Sequence, residues 1–187
     1  MTSSVDNQVD IRELVSHPTF GPAEVEAIRR AICDNHLNFI SLRDSVVELE
    51  QDSGLSPANR TKLGVLQYLI GKFKIAESTL SSADGGAMAL FYAARCSLEL
   101  GDYATAIGKY EMAKKSGYDG DRCMLGVAEA HRYLGNITGA MGILDNMFGP
   151  IEQTADYLCQ RAATVSAIGG NLPEVIALYE RAVATDF

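Results

Sequence analysis

Glycine recurs in this sequence at a nearly constant interval, and that interval limits the folds open to the chain. Gly101, Gly135 and Gly170 follow one another at 34 and 35 positions, and Gly71 precedes Gly101 by 30. A period of roughly 20–50 residues is typical of repeat architectures, in which one small structural unit is copied along the chain. Each copy buries only part of its apolar surface alone, so neighbouring copies must stack. We expect each glycine to form a turn in which a β-carbon would be strained.

Residues of fixed size accompany the glycines in every copy. Small side chains recur before each turn, at Gly64, Ala94, Ala128 and Ala163. The position after each turn is again small in three copies and valine in the fourth, at Ala76, Ala106, Ala140 and Val175. A large apolar residue follows four positions later, at Leu80, Tyr110, Leu144 and Tyr179. Because small residues let two helix axes approach closely, the pattern predicts pairs of packed helices. Ser56 and Pro57 have the residue types of an N-cap and a first-turn proline and would begin the first pair.

These positions resemble the tetratricopeptide repeat family, whose 34-residue unit is a helix–turn–helix. The resemblance covers residues 57–187. It implies an all-α fold, a right-handed α-α superhelix (solenoid) of about four helical hairpins preceded by an N-terminal helical segment. The hairpins are expected at about 57–86, 87–120, 121–154 and 155–187.

The N-terminal third lacks this signature. Residues 1–21 are polar and contain helix-breaking residues near their end, which predicts a flexible N-terminal arm. Residues 22–56 are expected to form an N-terminal helical cap or a degenerate repeat. Apolar residues spaced by four and three run from Ile28 to Leu49 and are interrupted by Asn35. The segment is then either one helix used for self-association or a hairpin that turns near Asn35, and the sequence leaves both open.

The last repeat is not followed by the polar capping helix that terminal repeats normally need for solubility. Three explanations are open for this feature. The chain is the N-terminal part of a longer protein, or the last repeat is buried in a homo-oligomer, or its edge binds a partner. We favour the first explanation as the sequence-based expectation.

The acidic composition disfavours several classes of partner. The formal net charge of −8 argues against nucleic acid, whose binders need clustered Lys and Arg, and against anionic membranes. No apolar run is long enough to span a bilayer, and the N-terminus has no secretory signal, so a cytoplasmic location is expected. The four cysteines lie far apart in the sequence, and we expect buried, reduced thiols.

No motif for catalysis, cofactor binding or metal binding stands out. The segment at Gly71 lacks the residues of a phosphate-binding loop, and the three histidines are scattered over different segments. Residues 119–121 carry too few carboxylates for a calcium loop. Cys123 and His131 lie eight positions apart, which is too distant for neighbouring zinc ligands. We therefore expect no enzyme activity, no catalytic residue, no cofactor and no metal.

The resemblance also implies where binding would occur, because the first helix of each tetratricopeptide repeat lines a concave groove. Here the groove would combine aromatic and charged side chains, at Tyr68, Phe91, Tyr92, Arg95, Glu99, Glu129, Arg132, Tyr133 and Arg161. Tyrosine and arginine are over-represented among binding hot spots. The alternative role is packing between repeats for the aromatic residues and plain solvation for the arginines.

These observations predict a non-catalytic protein–protein interaction module that binds a protein or peptide segment in the concave groove. One alternative is a small acidic secretion-type chaperone, since such chaperones combine an N-terminal helical segment with a few repeats of this kind. Another is a homo-oligomerising structural or assembly protein. Its copies would meet through the N-terminal helix or through the uncapped last repeat.

Overall fold

The computed structural model describes residues 10–83 and 85–186. In these ranges the chain forms eleven α-helices and one short 3-10 helix, at Pro150–Gln153, and no β-strand. The helices are α1 Ile11–Ser16, α2 Pro22–Asp34, α3 His36–Glu50, α4 Pro57–Leu69, α5 Phe73–Ser81, α6 Ala87–Glu99, α7 Tyr103–Lys115, α8 Gly120–Tyr133, α9 Ile137–Asp145, α10 Ala155–Ala167 and α11 Leu172–Asp186. They belong to two compact units, and the division falls within α6, between Tyr92 and Ala93.

Four turns between helices share one backbone geometry. The left-handed residue has φ between 77° and 82° and is Gly71 after α4, Gly101 after α6, Gly135 after α8 and Gly169 after α10. In each turn the next residue's N–H donates at 2.9 Å to the carbonyl five positions before it. This is the Schellman motif, which satisfies carbonyl groups at the end of a helix. Glycine is favoured there because a β-carbon is strained at positive φ.

The fourth turn differs from the sequence-based expectation by one residue. Gly169, not Gly170, carries the positive φ, so the left-handed glycines after α6, α8 and α10 are spaced by 34 and 34 positions. Gly170 is an extra residue between Gly169 and Asn171, whose side chain accepts from the N–H of Glu174 at 3.3 Å. A β-carbon on Gly170 would overlap Val165. In the two preceding turns the capping residue follows the left-handed glycine directly.

Small residues set the distance between neighbouring helices. Those of the repeat pattern that are fully buried are Ala76, Ala94, Ala106, Ala128 and Ala140. A β-carbon on Gly64 of α4 would lie 2.5 Å from Cγ of Leu80 in α5. A β-carbon on Gly126 of α8 would overlap the ring of Tyr110 in α7. The second contact joins one hairpin to the next, and the sequence pattern did not point to Gly126.

The N-terminal segment is a hairpin rather than one long helix. Asn35 alone separates α2 from α3; its backbone is extended, and its side chain accepts from the N–H of Leu37 at 2.9 Å. Ile28, Leu42 and Val46 of the apolar series are fully buried in one core with residues of α1 and α4. The alternative of one continuous helix over residues 22–51 is therefore wrong. Self-association through this segment stays a prediction.

Part of the predicted flexible arm is folded. Ile11 and Val15 of α1 are buried in the core that α1 shares with α2, α3 and α4. Lys62 of α4 donates from Nζ to the carbonyl oxygen of Val15 at 2.8 Å and to that of His17 at 3.3 Å. The expectation of a flexible arm is therefore corrected for α1, whose apolar face has a place to pack. The part of the expectation that concerns residues 1–9 lies outside the described residues.

Candidate functional site

Charged and polar side chains from α6, α8 and α10 form one connected row. Arg95 of α6 lies 3.6 Å from Glu99 of the same helix and 3.4 Å from Glu129 of α8, between guanidinium nitrogens and carboxylate oxygens. Arg132 of α8 lies 3.9 Å from the Glu129 carboxylate. The same guanidinium donates to the side-chain oxygen of Gln160 in α10 at 3.4 Å. These five residues, the polar row, join the first helices of three successive hairpins.

The repeat period explains why these side chains meet. Arg95 and Glu129 are 34 positions apart, one repeat length, so they occupy the same position on consecutive first helices. Glu99 follows Arg95 by four positions, and Arg132 follows Glu129 by three. Spacings of three and four place side chains on one helix face. Opposite charges are therefore paired both within a helix and between neighbouring hairpins.

The polar row is partly shielded from water. The side chains of Glu129 and Arg132 are 15% and 17% exposed. Two guanidinium groups face the Glu129 carboxylate, which offsets part of the cost of removing that charge from water. The Nε of Arg132 is buried and has no hydrogen-bond partner in the described part of the chain. A buried donor without a partner costs about 1–3 kcal/mol, and this cost opposes the stabilisation that Arg132 gains from Glu129 and Gln160.

Two other residues predicted for the groove make contacts outside the polar row. Tyr133 is exposed and stacks on Tyr103 at the start of α7, with ring centroids 5.1 Å apart and ring planes inclined by 16°. Arg161 donates to Asp145 at 2.8 Å and to the hydroxyl of Tyr157 at 3.3 Å. The hydrogen bond to Asp145 raises the pKa of the Arg161 guanidinium. Arg161 therefore lies apart from the row, beside a cavity of about 250 Å³ lined by residues of α9, α10 and α11.

The aromatic residues predicted for the groove pack on one another. Tyr68 of α4 lies 5.5 Å from Tyr92 of α6 and 5.5 Å from Phe73 of α5, between ring centroids. Phe91 lies 5.3 Å from Tyr92, and both residues are buried. Aromatic pairs at these distances stabilise a core beyond their burial. Phe91 and Tyr92 thus contribute packing to the first unit and expose little surface.

Two residues that hold predicted groove residues in place were not predicted. Tyr103 stacks on Tyr133, and Asp145 pairs with Arg161. The repeat organisation contained a signal for Tyr103, because neighbouring antiparallel helices bring the start of one helix beside the end of the next. No such signal existed for Asp145, whose side chain has several rotamers available on the surface.

The expectation of four buried cysteines is correct for Cys96 and Cys123 and wrong for Cys33 and Cys159, which are exposed. Burial raises the pKa of the Cys123 thiol to about 11, so the thiol is protonated at neutral pH and is a weak nucleophile. Residues 10–83 and 85–186 contain no group of three or more His, Cys, Asp or Glu side chains placed to hold a metal ion. No helix in the described part of the chain is both long enough and apolar enough to cross a membrane.

No protein-family model and no curated protein matches this sequence. Solved structures do match. The APC/C hetero-tetramer Cut9–Hcn1 contains a chain that aligns with a TM-score of 0.72 and 15% identity, over 91% of this chain and 32% of that one. The MamA structure from MSR-1 aligns with a TM-score of 0.58 and 15% identity, over 86% and 96%. A Podosopora anserina protein assigned as a kinesin light chain, with nearly identical TPR-like repeats, aligns with a TM-score of 0.56 and 14% identity, over 90% and 97%.

The three structures described above are tetratricopeptide repeat proteins. This chain has the tetratricopeptide repeat fold. It spans about a third of the length of the Cut9–Hcn1 chain that it matches. In terms of the tetratricopeptide fold, α6, α8 and α10 are the first helices of their hairpins, and the polar row runs across these three helices.

Proposed function

We propose that this chain is a non-catalytic protein–protein interaction module that binds a peptide or protein segment along the polar row. The continuity of the row carries the proposal, because side chains from three hairpins contact one another across the repeat boundaries. The structural neighbours support an interaction role in general, and one of them is a chain of a hetero-tetramer. The proposed contact residues are Arg95, Glu99, Glu129, Arg132 and Tyr133.

The chemistry of the row suits a polypeptide. An extended peptide presents backbone N–H donors and C=O acceptors along its length. Arg95 and Arg132 can donate to carbonyl or carboxylate oxygens, while Glu99 and Glu129 can accept from N–H groups. Tyr133 adds an exposed aromatic ring beside Arg132. The Arg132 guanidinium lies 4.6 Å from the centroid of the Tyr133 ring. A row with both donors and acceptors therefore matches a main chain better than it matches a purely anionic ligand.

The other residues predicted for the groove have supporting roles in this proposal. Tyr68, Phe91 and Tyr92 stabilise the helices of the first unit by packing. Arg161 fixes α10 against α9 through Asp145. The net charge of −8 favours a partner that is neutral or basic overall, because association with an acidic protein would be repulsive at long range. A cytoplasmic location stays a prediction from the sequence.

The test is to reverse charges in the polar row. Wild type and an Arg95→Glu/Arg132→Glu variant would be used to capture proteins from the native cell extract, followed by a purified binding measurement with each captured protein. We expect the variant to weaken binding by at least about tenfold, because like charges replace two donors in the row. Lys115→Glu, at an exposed site on α7 in the same unit, is the matched control.

The outcomes separate binding from folding. Unchanged far-UV circular dichroism in the row variant would show that its helices are intact. A captured protein that binds wild type and Lys115→Glu within about twofold of each other, but loses the row variant, supports the proposal. If wild type, the row variant and Lys115→Glu all bound the captured protein equally, the proposal would be contradicted and the interaction would lie on another surface.

A further inference from the structure

An aliphatic side chain precedes the left-handed glycine in three successive turns. Leu100, Leu134 and Ile168 come directly after α6, α8 and α10 and are spaced by 34 and 34 positions. They are 45%, 51% and 54% exposed. We call these three residues the aliphatic edge. Single exposed apolar residues are ordinary, whereas exposure at the same position of three successive repeats indicates a contact surface.

The turn itself does not require an aliphatic residue at this position. The Schellman motif makes its hydrogen bonds through main-chain groups. The φ angles of Leu134 and Ile168 are −73° and −83°, which any residue adopts. Packing within the chain does not account for the three side chains either, since about half of each is open to water. The aliphatic edge is therefore available to a partner.

The exposure of the edge is not caused by its position relative to the last hairpin. Leu100 and Leu134 are each followed by a further hairpin of the same compact unit. They nevertheless remain nearly as exposed as Ile168. The first helix of the next hairpin thus packs beside these residues without covering them.

Successive members of the edge lie side by side. Side chains of the polar row link α6 to α8 and α8 to α10, so the three helices that the edge follows are neighbours. The stacking of Tyr103 on Tyr133 also joins the first of the three turns to the second. Packed neighbouring helices have axes about 8–10 Å apart. The edge therefore presents an aliphatic side chain roughly every 10 Å.

An α-helix presents apolar side chains at the matching interval. Seven residues make about two turns of helix, so residues seven positions apart share a face and lie about 10.5 Å apart. In an extended strand, side chains on one face lie about 7 Å or 13 Å apart, and neither interval matches. A helix with apolar residues seven positions apart can therefore contact all three members of the edge.

The charges beside the edge indicate a basic partner. The turn segments 98–106, 133–140 and 167–175 contain no lysine or arginine. Their charged residues are exposed carboxylates, namely Glu99, Asp102 and Glu174. Arg132, the arginine nearest to these segments in the sequence, is only 17% exposed and faces Glu129. Lysine or arginine side chains of a partner would therefore meet charges of opposite sign.

We infer that the aliphatic edge binds a basic amphipathic α-helix of a partner protein. This helix lies across the three turns, with apolar residues seven positions apart on the edge and lysine or arginine beside them. The inference goes beyond the proposed function, because no member of the edge belongs to the polar row. The edge and the row are then two separate contact surfaces of one module.

Fluorescence anisotropy of a labelled peptide with the full chain tests the inference. The probe is an alanine–lysine peptide of about 18 residues with three leucines seven positions apart, long enough to be partly helical in water. We expect wild type to bind it with a dissociation constant of roughly 1–100 μM, because the interface is small. The same peptide with glutamate in place of lysine should bind at least about tenfold more weakly, because its charges would face carboxylates.

Neutral substitutions test the edge without changing the charge of the chain. Leu100→Gln/Leu134→Gln/Ile168→Gln should weaken binding of the lysine peptide by at least about tenfold, because it removes apolar contact surface. All three sites are exposed, so the variant should keep the far-UV circular dichroism of wild type.

Two further variants show whether the effect is specific to the edge. Met112→Gln/Ile176→Gln/Val183→Gln is the matched control, since these residues are similarly exposed in the same unit. It should stay within about twofold of wild type. The row variant Arg95→Glu/Arg132→Glu should bind the lysine peptide at least as tightly as wild type, because it adds negative charge. Its behaviour separates the edge from the proposed function.

Four results would overturn the inference. Wild type that does not bind the lysine peptide up to about 300 μM has no such site. Equal binding of a scrambled peptide with the same composition would show that charge alone causes the association. An edge variant that binds like wild type would place the peptide on another surface. Undiminished binding of a peptide with prolines at its centre would show that the occupant is not an α-helix. Loss of binding in the edge variant, with the matched control unchanged and the scrambled and proline peptides weakly bound, supports the inference.

Discussion

The α2–α3 hairpin and the α8–α9 hairpin are both pairs of packed helices, yet different residues hold them in place. Between α8 and α9, the left-handed Gly135 ends the first helix and the side chain of Asn136 caps the second. Between α2 and α3, Asn35 performs both tasks with an extended backbone. The repeat hairpin thus depends on a conformation that favours glycine, and the N-terminal hairpin does not.

The two regions also differ in the size of the side chains that pack between their helices. Helices of the repeats approach over small residues, as where Gly126 of α8 meets Tyr110 of α7. The N-terminal helices are held by large aliphatic side chains, Ile28, Leu42 and Val46, which are fully buried. Opposite kinds of substitution should therefore be destabilising in the two regions. Removing side-chain volume should destabilise the N-terminal core, whereas adding side-chain volume should destabilise the repeats.

The largest expected effect comes from removing volume in the N-terminal core. Leu42→Ala should lower the free energy of unfolding by about 2–5 kcal/mol, because it deletes buried apolar atoms and leaves a cavity. Urea denaturation followed by far-UV circular dichroism measures this change. Leu37→Ala, at an exposed site on the same helix, is the control and should change stability by less than about 0.5 kcal/mol. Equal effects at the two sites would contradict the described core.

The second-largest loss of stability is expected from adding volume between helices of the repeats. Gly126→Ala should destabilise the chain by about 1–3 kcal/mol, because the added methyl group overlaps the fully buried ring of Tyr110. Gly108→Ala is the matched control in the neighbouring helix α7, since a β-carbon there meets no atom within 4 Å. That control should stabilise by about 0.5–1 kcal/mol through better helix propensity. A destabilised Gly108→Ala would show that volume is not the deciding difference.

A smaller effect on stability should distinguish the α8–α9 turn at Gly135 from the α2–α3 turn at Asn35. Gly135→Ala should cost about 1–2 kcal/mol, because the residue must keep a left-handed backbone with φ of 78°. Asn35→Gly should cost only a few tenths of a kcal/mol, since glycine is tolerated at an N-cap. Thermal and urea unfolding of both variants measure the difference. Equal losses at the two turns would mean that the side-chain cap of Asn35 contributes as much as the left-handed glycine.

The contrast explains how much of the fold could be predicted from the sequence. Glycine, Asx caps and small residues report backbone geometry locally, so the hairpins after residue 57 were predictable. The one-residue shift from Gly170 to Gly169 was hidden, because two adjacent glycines have the same local preference. The fold of α1 depends on long-range contacts of Ile11 and Val15 with α2, α3 and α4, which no local pattern reports.

The candidate site was predictable to the extent that the period determines it. Arg95 and Glu129 are one repeat apart, and their contact follows from that spacing. The placement of Arg161 depends on which acceptor its long side chain selects, and that acceptor is Asp145 of the preceding hairpin. The sequence also left open whether Phe91 and Tyr92 pack or face a partner, since both roles favour the same residue type.

The smallest expected effect concerns the link between the N-terminal hairpin and the first repeat. Glu50 of α3 accepts a hydrogen bond from Gln67 of α4 at 2.9 Å and pairs with Lys72, at the start of α5, at 3.0 Å. Burial raises the pKa of Glu50, but the hydrogen bonds from Gln67 and Lys72 outweigh it and leave that pKa below its ordinary value. A carboxyl group with a lowered pKa in the folded state stabilises the fold above its unfolded pKa of about 4.3, and that stability is lost as pH falls through the folded pKa.

Glu50→Gln should therefore reduce stability by less than about 1 kcal/mol at neutral pH, since the pair is partly exposed and screened by water. The difference from wild type should disappear in acid, once the pH has fallen through the folded pKa of the wild-type carboxyl group. Glu48→Gln, whose ion pair with Arg12 is mostly exposed, is the control and should stay within about 0.3 kcal/mol of wild type at both pH values. If Glu50→Gln were equally destabilising at both pH values, the carboxylate charge would not be what joins these two regions. Packing alone would then join the N-terminal hairpin to the first repeat. Glutamine tests this point because its amide keeps the shape of the side chain but loses the pH-dependent attraction to Lys72.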